Sequence, residues 1–168
     1  MAPLELIHSD LCEMNGVLTK SGKKYFMTLI YDCTRYCYIY LLKSKDEALH
    51  YFKIYKAEVE NQLERKIKRV RSNCSGEYFS NVFTLFYEEH GNIHEMTPSY
   101  SPQSNRVAER KNHILTDLVN AMLDTAGLVA KMASHVIFQY NVFAIDDTHN
   151  TWTNMIVKDE HSQAFRFK

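Results

Sequence analysis

Three positions along the chain combine residue types and spacings that suit phosphoryl-transfer chemistry: Asp10, Asn73 and Glu109. Hard divalent cations such as Mg²⁺ prefer oxygen ligands, and a few carboxylates usually supply the protein's share of them. Two such ions, about 3.5–4 Å apart, can activate an attacking oxygen and stabilise a leaving oxygen. Here two of the three positions carry carboxylates and the third carries a carboxamide.

The local sequence patterns indicate which elements must position these side chains. Asp10 lies near the end of a strand predicted for residues 4–13, where apolar and polar residues alternate. Asn73 follows a strand predicted for residues 67–72, and Glu109 lies in the first turns of a long predicted helix. If the first and fourth strands are neighbours, all three side chains converge at one edge of a sheet.

The remaining patterns predict the other strands and helices of a single α/β domain. Runs rich in β-branched and aromatic residues at 25–32 and 36–42 indicate antiparallel strands joined by a short turn. Helices are predicted for residues 46–64, from Ser80 or Asn81 to Gly91, for 105–126 and for 129–144, with Ser44 or Asp46 as a cap of the first and a fifth strand at 93–96.

This element order predicts an α/β fold of the ribonuclease H-like type, a five-stranded mixed sheet flanked by helices. The domain is predicted to span residues 1–145, and residues 146–168 form a divergent C-terminal tail with weak patterns. A chain of 168 residues is long enough for one such domain with its own hydrophobic core.

Composition limits the classes of partner. The formal net charge is +0, from 20 basic and 20 acidic residues, so the total charge gives no sign of nucleic-acid binding. The longest uncharged apolar stretches are far shorter than a membrane span, so no membrane partner is predicted. The cysteines Cys12, Cys33, Cys37 and Cys74 form no C-x-x-C pair, which favours reduced, packed thiols over a zinc site or disulfides.

Three segments of the sequence resemble one known family. They are PLELIHSDLC at residues 3–12, GEYF at 76–79 and YSPQSNRVAERKN at 100–112. Together they resemble the catalytic core of copia-type retrotransposon integrases, which belong to the ribonuclease H-like superfamily. The resemblance covers residues 3–128. It implies DNA integration, in which two metal ions, Mg²⁺ or Mn²⁺, support the cutting and joining of strands at retroelement ends and target DNA.

The same resemblance implies the roles of the three site residues. Two aspartates and a glutamate hold the metals in that family, with 35 residues between the last two, as between positions 73 and 109 here. Asp10 matches the first aspartate and Glu109 the glutamate, whereas Asn73 stands in place of the second aspartate. Arg106 also replaces an expected glycine, and Tyr31 replaces an expected aspartate.

Asn73 is expected to impair the chemistry. Two unit charges about 4 Å apart at an effective dielectric near 20 interact by about 4 kcal/mol. Loss of one carboxylate should therefore weaken the binding of one ion and lower activity by roughly 10³-fold or more. An amide oxygen can still coordinate a metal, which leaves a weakened enzyme as an alternative.

Several polar residues near Glu109 are candidates for contact with the DNA backbone. They are Arg106, Arg110, Lys111, Gln103, Ser104 and Asn105. Gln103, Ser104 and Asn105 belong to a polar loop predicted for residues 97–105, whose alternative role is a cap leading into the helix. For the basic run at residues 65–71, a solvated strand edge is favoured. The alternative function is a non-catalytic nucleic-acid-binding or dimerisation module, and a transposon remnant without a selected role is a third. A homodimer and a nuclear or cytoplasmic location are compatible with either function.

Overall fold

Six strands form one mixed sheet in the computed structural model, and two further strands form a small second sheet. The structure describes residues 4–14, 22–73, 81–97 and 106–126, and the backbone of three short strands after them. In the last helix, side chains are described as far as residue 117. The strands are β1 (Leu6–Glu13), β2 (Tyr25–Tyr31), β3 (Cys37–Leu42), β4 (Arg69–Asn73), β5 (Ile93–Thr97), β6 (Ala144–Ile145), β7 (Trp152–Thr153) and β8 (Met155–Lys158). The helices are α1 (Ala48–Leu63), α2 (Asn81–His90) and α3 (Arg106–Ala126).

The strand order of the main sheet is β5-β4-β1-β2-β3-β8. The first three strands form an antiparallel meander, and β4 lies parallel to β1 with β5 parallel to β4. The predicted mixed sheet is confirmed with all five of its strands, and the first and fourth strands are neighbours, which meets the condition for the candidate site residues to converge. The sequence patterns did not predict β8, which pairs in parallel with β3 and falls within the range assigned to the C-terminal tail.

The two faces of the sheet carry separate hydrophobic clusters. The face covered by α1 and α2 is rich in aromatic rings, and Phe52 packs there against Tyr55, Phe83 and Phe86. The opposite face is covered by α3. Its cluster consists of Phe26, Ile30, Cys37, Ile39, Leu41, Ala108 and Leu115. Because neighbouring strand residues alternate between faces, β2 and β3 contribute to both clusters.

Helix α1 begins later than its apolar pattern predicts. A single 3-10 turn at Lys45–Glu47 precedes it, and Glu47 occupies the N-cap position without a side-chain capping bond. The prediction that Ser44 or Asp46 caps the helix is therefore wrong, since the chain enters α1 from the 3-10 turn. Helix α2 ends as predicted at Gly91, whose φ of 65° is a left-handed conformation that glycine adopts at little cost.

Two other predicted segments fall largely outside the described residues. One is the polar loop at residues 97–105, of which only Thr97 is described, as the last residue of β5. The other is the helix predicted for residues 129–144. Ala144, at the end of that range, lies in the short strand β6. The long helix predicted for residues 105–126 is confirmed as α3. Among the described residues, no helix combines the length and apolar character needed to cross a bilayer.

Candidate metal and nucleic-acid site

Asp10 and Asn73 lie side by side where β1 and β4 run in parallel. The paired register of these strands ends at Ser9 and Ser72, so Asp10 and Asn73 are the next residues on each. The Asn73 amide nitrogen Nδ2 donates a hydrogen bond to Asp10 Oδ1 over 2.7 Å. The structure therefore brings together the first two positions of the candidate site, but joins them by an amide-to-carboxylate hydrogen bond.

The carboxylate of Asp10 is buried, with only 4% of its surface exposed, and its oxygens accept hydrogen bonds from several donors. Oδ1 also accepts from the backbone N–H of Leu11 over 3.0 Å. Oδ2 accepts from Asn112 Nδ2 over 2.7 Å and from Cys12 Sγ over 3.7 Å. Burial raises the pKa of Asp10 above its usual value; the hydrogen bonds act in the opposite direction, and the negative charge of Glu109 raises it further.

Glu109 lies one turn into α3, which packs against β1 and β2. Its side chain is half-buried. The charge of Glu109 raises the pKa values of both Asp10 and Cys12, so its carboxylate lies within electrostatic range of the other site residues. The third predicted position therefore lies close enough to Asp10 and Cys12 to act on them electrostatically.

Asn112 joins three elements at the site and was not among the predicted site residues. Its side chain is 5% exposed, and Nδ2 reaches both Asp10 Oδ2 and, over 3.0 Å, Cys12 Sγ. Its carbonyl oxygen accepts a hydrogen bond from Thr28 Oγ1 over 2.9 Å. A signal was present in the sequence, because residues three apart on a helix share a face and Asn112 is three residues beyond Glu109.

The thiol of Cys12 stays protonated beside these carboxylates. Burial, followed by the charge of Asp10, raises the pKa of Cys12 to about 12. A protonated thiol is a poor metal ligand, because metals bind the thiolate. Cys12 therefore contributes packing and a weak hydrogen bond to the site.

A second polar group on β1 makes a separate set of contacts. His8 is buried, and its Nε2 lies 2.7 Å from Asp32 Oδ1, which also accepts a hydrogen bond from Arg35 over 3.2 Å. Burial lowers the pKa of His8 despite the neighbouring carboxylate. His8 therefore contacts Asp32, which follows β2, whereas Asp10 is paired with Thr28 in the middle of that strand.

The side chains of this site do not fit the set of ligands that two divalent ions need. Within the described part of the chain, no group of three or more His, Cys, Asp or Glu residues is arranged to hold a metal ion. An ionised carboxylate has about four acceptor positions, and Asp10 already meets four donors, from Leu11, Cys12, Asn73 and Asn112. An incoming ion must displace at least one of them.

The candidate DNA-contacting residues are only partly described. Arg106 and Arg110 are exposed in the first turns of α3, on either side of Glu109 in the sequence, and Lys111 is half-buried. Gln103, Ser104 and Asn105 lie outside the described residues. The basic run at 65–71 is partly neutralised, because Arg69 and Arg71 form ion pairs with Glu95 on β5.

Comparisons with known proteins identify similar sequences. Residues 1–102 match the integrase core domain family. The chain is 35% identical over 171 residues to the retrovirus-related Pol polyprotein from transposon TNT 1-94 of Nicotiana tabacum, covering 96% of this chain and 13% of that polyprotein. It is 29% identical over 126 residues to the one from transposon RE2 of Arabidopsis thaliana, covering 75% of this chain and 8% of the polyprotein. The chain thus spans a small fraction of each relative's length.

Solved structures with a similar fold come from retroviral integrases. The HTLV-2 integrase catalytic core domain, in complex with magnesium and in a trimeric form, aligns with a TM-score of 0.58 at 14% identity over 90% of this chain and 95% of that one. A chain of the simian T-cell lymphotropic virus intasome in complex with a PP2A regulatory subunit aligns with a TM-score of 0.62 at 14% identity, over 89% of this chain and 52% of that one. These alignments confirm the predicted ribonuclease H-like fold.

Proposed function

Because the chain belongs to the integrase core domain family, we propose that it is a copia-type integrase catalytic core whose strand-cutting and strand-joining chemistry is impaired by Asn73. One observation carries this proposal. The residue at the position of the family's second metal-binding aspartate is an amide, and it donates a hydrogen bond to the first aspartate, Asp10, over 2.7 Å. The metal-binding position is thereby occupied by a hydrogen-bond donor.

The proposed impairment has a physical basis in the ligand set. Asp10 and Glu109 supply two negative charges, and Asn73 adds none. A divalent ion must then compete with amide donors for Asp10 while gaining less electrostatic attraction. Weakened binding of Mg²⁺ or Mn²⁺ follows, and activity falls because the chemistry of this fold class depends on those ions.

The test is a strand-joining assay on a branched DNA oligonucleotide with Mn²⁺, combined with a DNA-binding measurement on the same protein. We expect the wild-type chain to bind the oligonucleotide without joining it above background. Joining by the wild-type protein as fast as by its Asn73→Asp variant contradicts the proposed impairment.

A second candidate function, a non-catalytic nucleic-acid-binding module, is supported by the exposed cations of α3. Arg106 and Arg110 flank Glu109 in sequence and are exposed at the start of the helix. Backbone N–H groups at a helix N-terminus together with nearby arginines attract phosphate. DNA binding of this kind needs no metal-dependent chemistry. A homodimer is compatible with the same function.

Replacement of Arg110 by alanine is expected to weaken DNA binding uniformly across sequences. Each phosphate contact that is lost should reduce the slope of log affinity against log salt by about 1. Fluorescence anisotropy with two unrelated duplexes over a salt series measures both quantities. Arg65→Ala is the matched control, since Arg65 is exposed between β4 and α1, the helix that covers the face of the sheet opposite to α3. Equal salt slopes for the two variants contradict a phosphate contact from Arg110.

A further inference from the structure

We propose that Asn73 has converted the metal position into a metal-independent structural lock, in which its amide holds β4 against Asp10 of β1. This inference rests on the proposed function only in taking position 73 as the family's metal position. The consequence is a chain that folds without a divalent ion and whose stability does not increase when one is added.

The lock extends the strand pairing by one residue through side chains. The register of β1 with β4 ends at Ser9 and Ser72. One residue further, the hydrogen bond from Asn73 to Asp10 continues the connection between the two strands. On its other side β4 stays paired with β5 as far as Asn73 and Thr97. The amide thus connects the carboxyl ends of the two strands at the position that the family would use to hold a metal ion.

A second amide connects the same carboxylate to the helix. Asn112 donates to the other oxygen of Asp10 and accepts from Thr28, so β1, β2 and α3 meet at one buried acid. A buried carboxylate is costly unless its oxygens are hydrogen-bonded. The amides of Asn73 and Asn112 each donate a hydrogen bond of 2.7 Å, one to each oxygen of this carboxylate.

An aspartate at position 73 would reverse the electrostatics of this contact. Two carboxylate oxygens would then face each other at hydrogen-bond distance, with Glu109 nearby. Like charges so close disfavour ionisation of the pair unless a cation lies between them. The metal-free Asn73→Asp variant should therefore be less stable than the wild-type protein, and a divalent ion should restore its stability by binding the folded state.

The experiment is thermal unfolding of the full chain in EDTA and in millimolar Mg²⁺, for the wild type and Asn73→Asp. The wild-type melting temperature is expected to be the same in both solutions. The variant is expected to melt roughly 5–10 °C lower in EDTA and to regain most of that loss in Mg²⁺. Asn61→Asp on the exposed side of α1 is the matched control, with no Mg²⁺ response.

Two results overturn the lock. One is a wild-type melting temperature that rises with Mg²⁺ as much as that of the variant. The other is an Asn73→Asp variant that melts with the wild type in EDTA. Strand joining by the wild-type protein would contradict the proposed impairment. The comparison of the wild type with Asn73→Asp and Asn73→Ala in EDTA tests the lock without any metal ion, so the two failures are distinguishable.

Asn73→Ala covers the case in which the aspartate variant does not fold. This change removes the donor without adding a charge. The lock predicts a lower melting temperature than wild type and no response to Mg²⁺. A melting temperature equal to that of the wild type would show that the amide holds nothing in place, and it would overturn the proposal.

Discussion

The Asn73→Asp variant is expected to join DNA strands roughly 10³-fold faster than the wild-type protein in the presence of Mn²⁺. The added carboxylate completes a set with Asp10 and Glu109, and it removes the amide that donates to Asp10. Each negative charge about 4 Å from another charge is worth about 4 kcal/mol at an effective dielectric near 20. A gain of that size in binding an ion needed for the reaction corresponds to about three powers of ten in rate.

The measurement is the joining rate on a branched oligonucleotide across a Mn²⁺ titration. The rate of the variant should rise with Mn²⁺, because the metal-free variant has two neighbouring carboxylates whose repulsion a bound cation would offset. Asn61→Asp adds the same charge at an exposed position on α1 and should leave the rate at the wild-type level. A variant no faster than this control at saturating Mn²⁺ would contradict the view that residue 73 limits the chemistry.

The sheet was predictable because its strands carry strong local patterns. The runs that became β2 and β3 are rich in β-branched and aromatic residues and are separated by a short turn, which specifies an antiparallel pair. Helix α1 followed from apolar residues at three- and four-residue spacing. The local patterns left open which strand β4 lies beside, because a helix between β3 and β4 favours a parallel crossover without specifying β1 as the neighbour.

The elements that escaped prediction depend on contacts distant in sequence. Strand β8 has four residues, and it is paired with β3 more than a hundred residues earlier. A segment so short carries too little periodicity to specify a strand before its partner is known. The 3-10 turn before α1 could not be predicted either, because the residue at which a helix begins depends on how the preceding strand delivers the chain.

The residues of the candidate site were predictable in part, whereas the contacts between them were not. Asp10, Asn73 and Glu109 could be placed on recognisable elements from the sequence, and the resemblance to copia-type integrases then implied their roles as a site. The bond between Asn73 and Asp10 could not be foreseen, since it depends on the register of β1 and β4. The role of Asn112 depends on which side of α3 faces the sheet, and amide residues on a helix are more often solvated than buried.

Asn112→Asp is expected to lower the free energy of unfolding by about 3–5 kcal/mol at pH 7. The change replaces the amide donor 2.7 Å from Asp10 with an acceptor, and both positions are almost fully buried. Two carboxylates would then share a site from which water is largely excluded. Asn112→Ala removes the same donor without adding a charge, so the expected loss is smaller, about 1–3 kcal/mol.

The pH dependence separates charge repulsion from lost packing in the Asn112→Asp variant. One carboxyl of the pair should have a folded-state pKa well above its unfolded value, because protonation turns it into a donor for the other. The folded state then binds more protons than the unfolded state, and stability falls as pH rises between those two pKa values. Urea unfolding at pH 7 and pH 5 should therefore show a smaller difference from wild type at pH 5. An equal difference at both pH values would mean that the loss comes from packing and that Asn112 does not compensate the charge of Asp10.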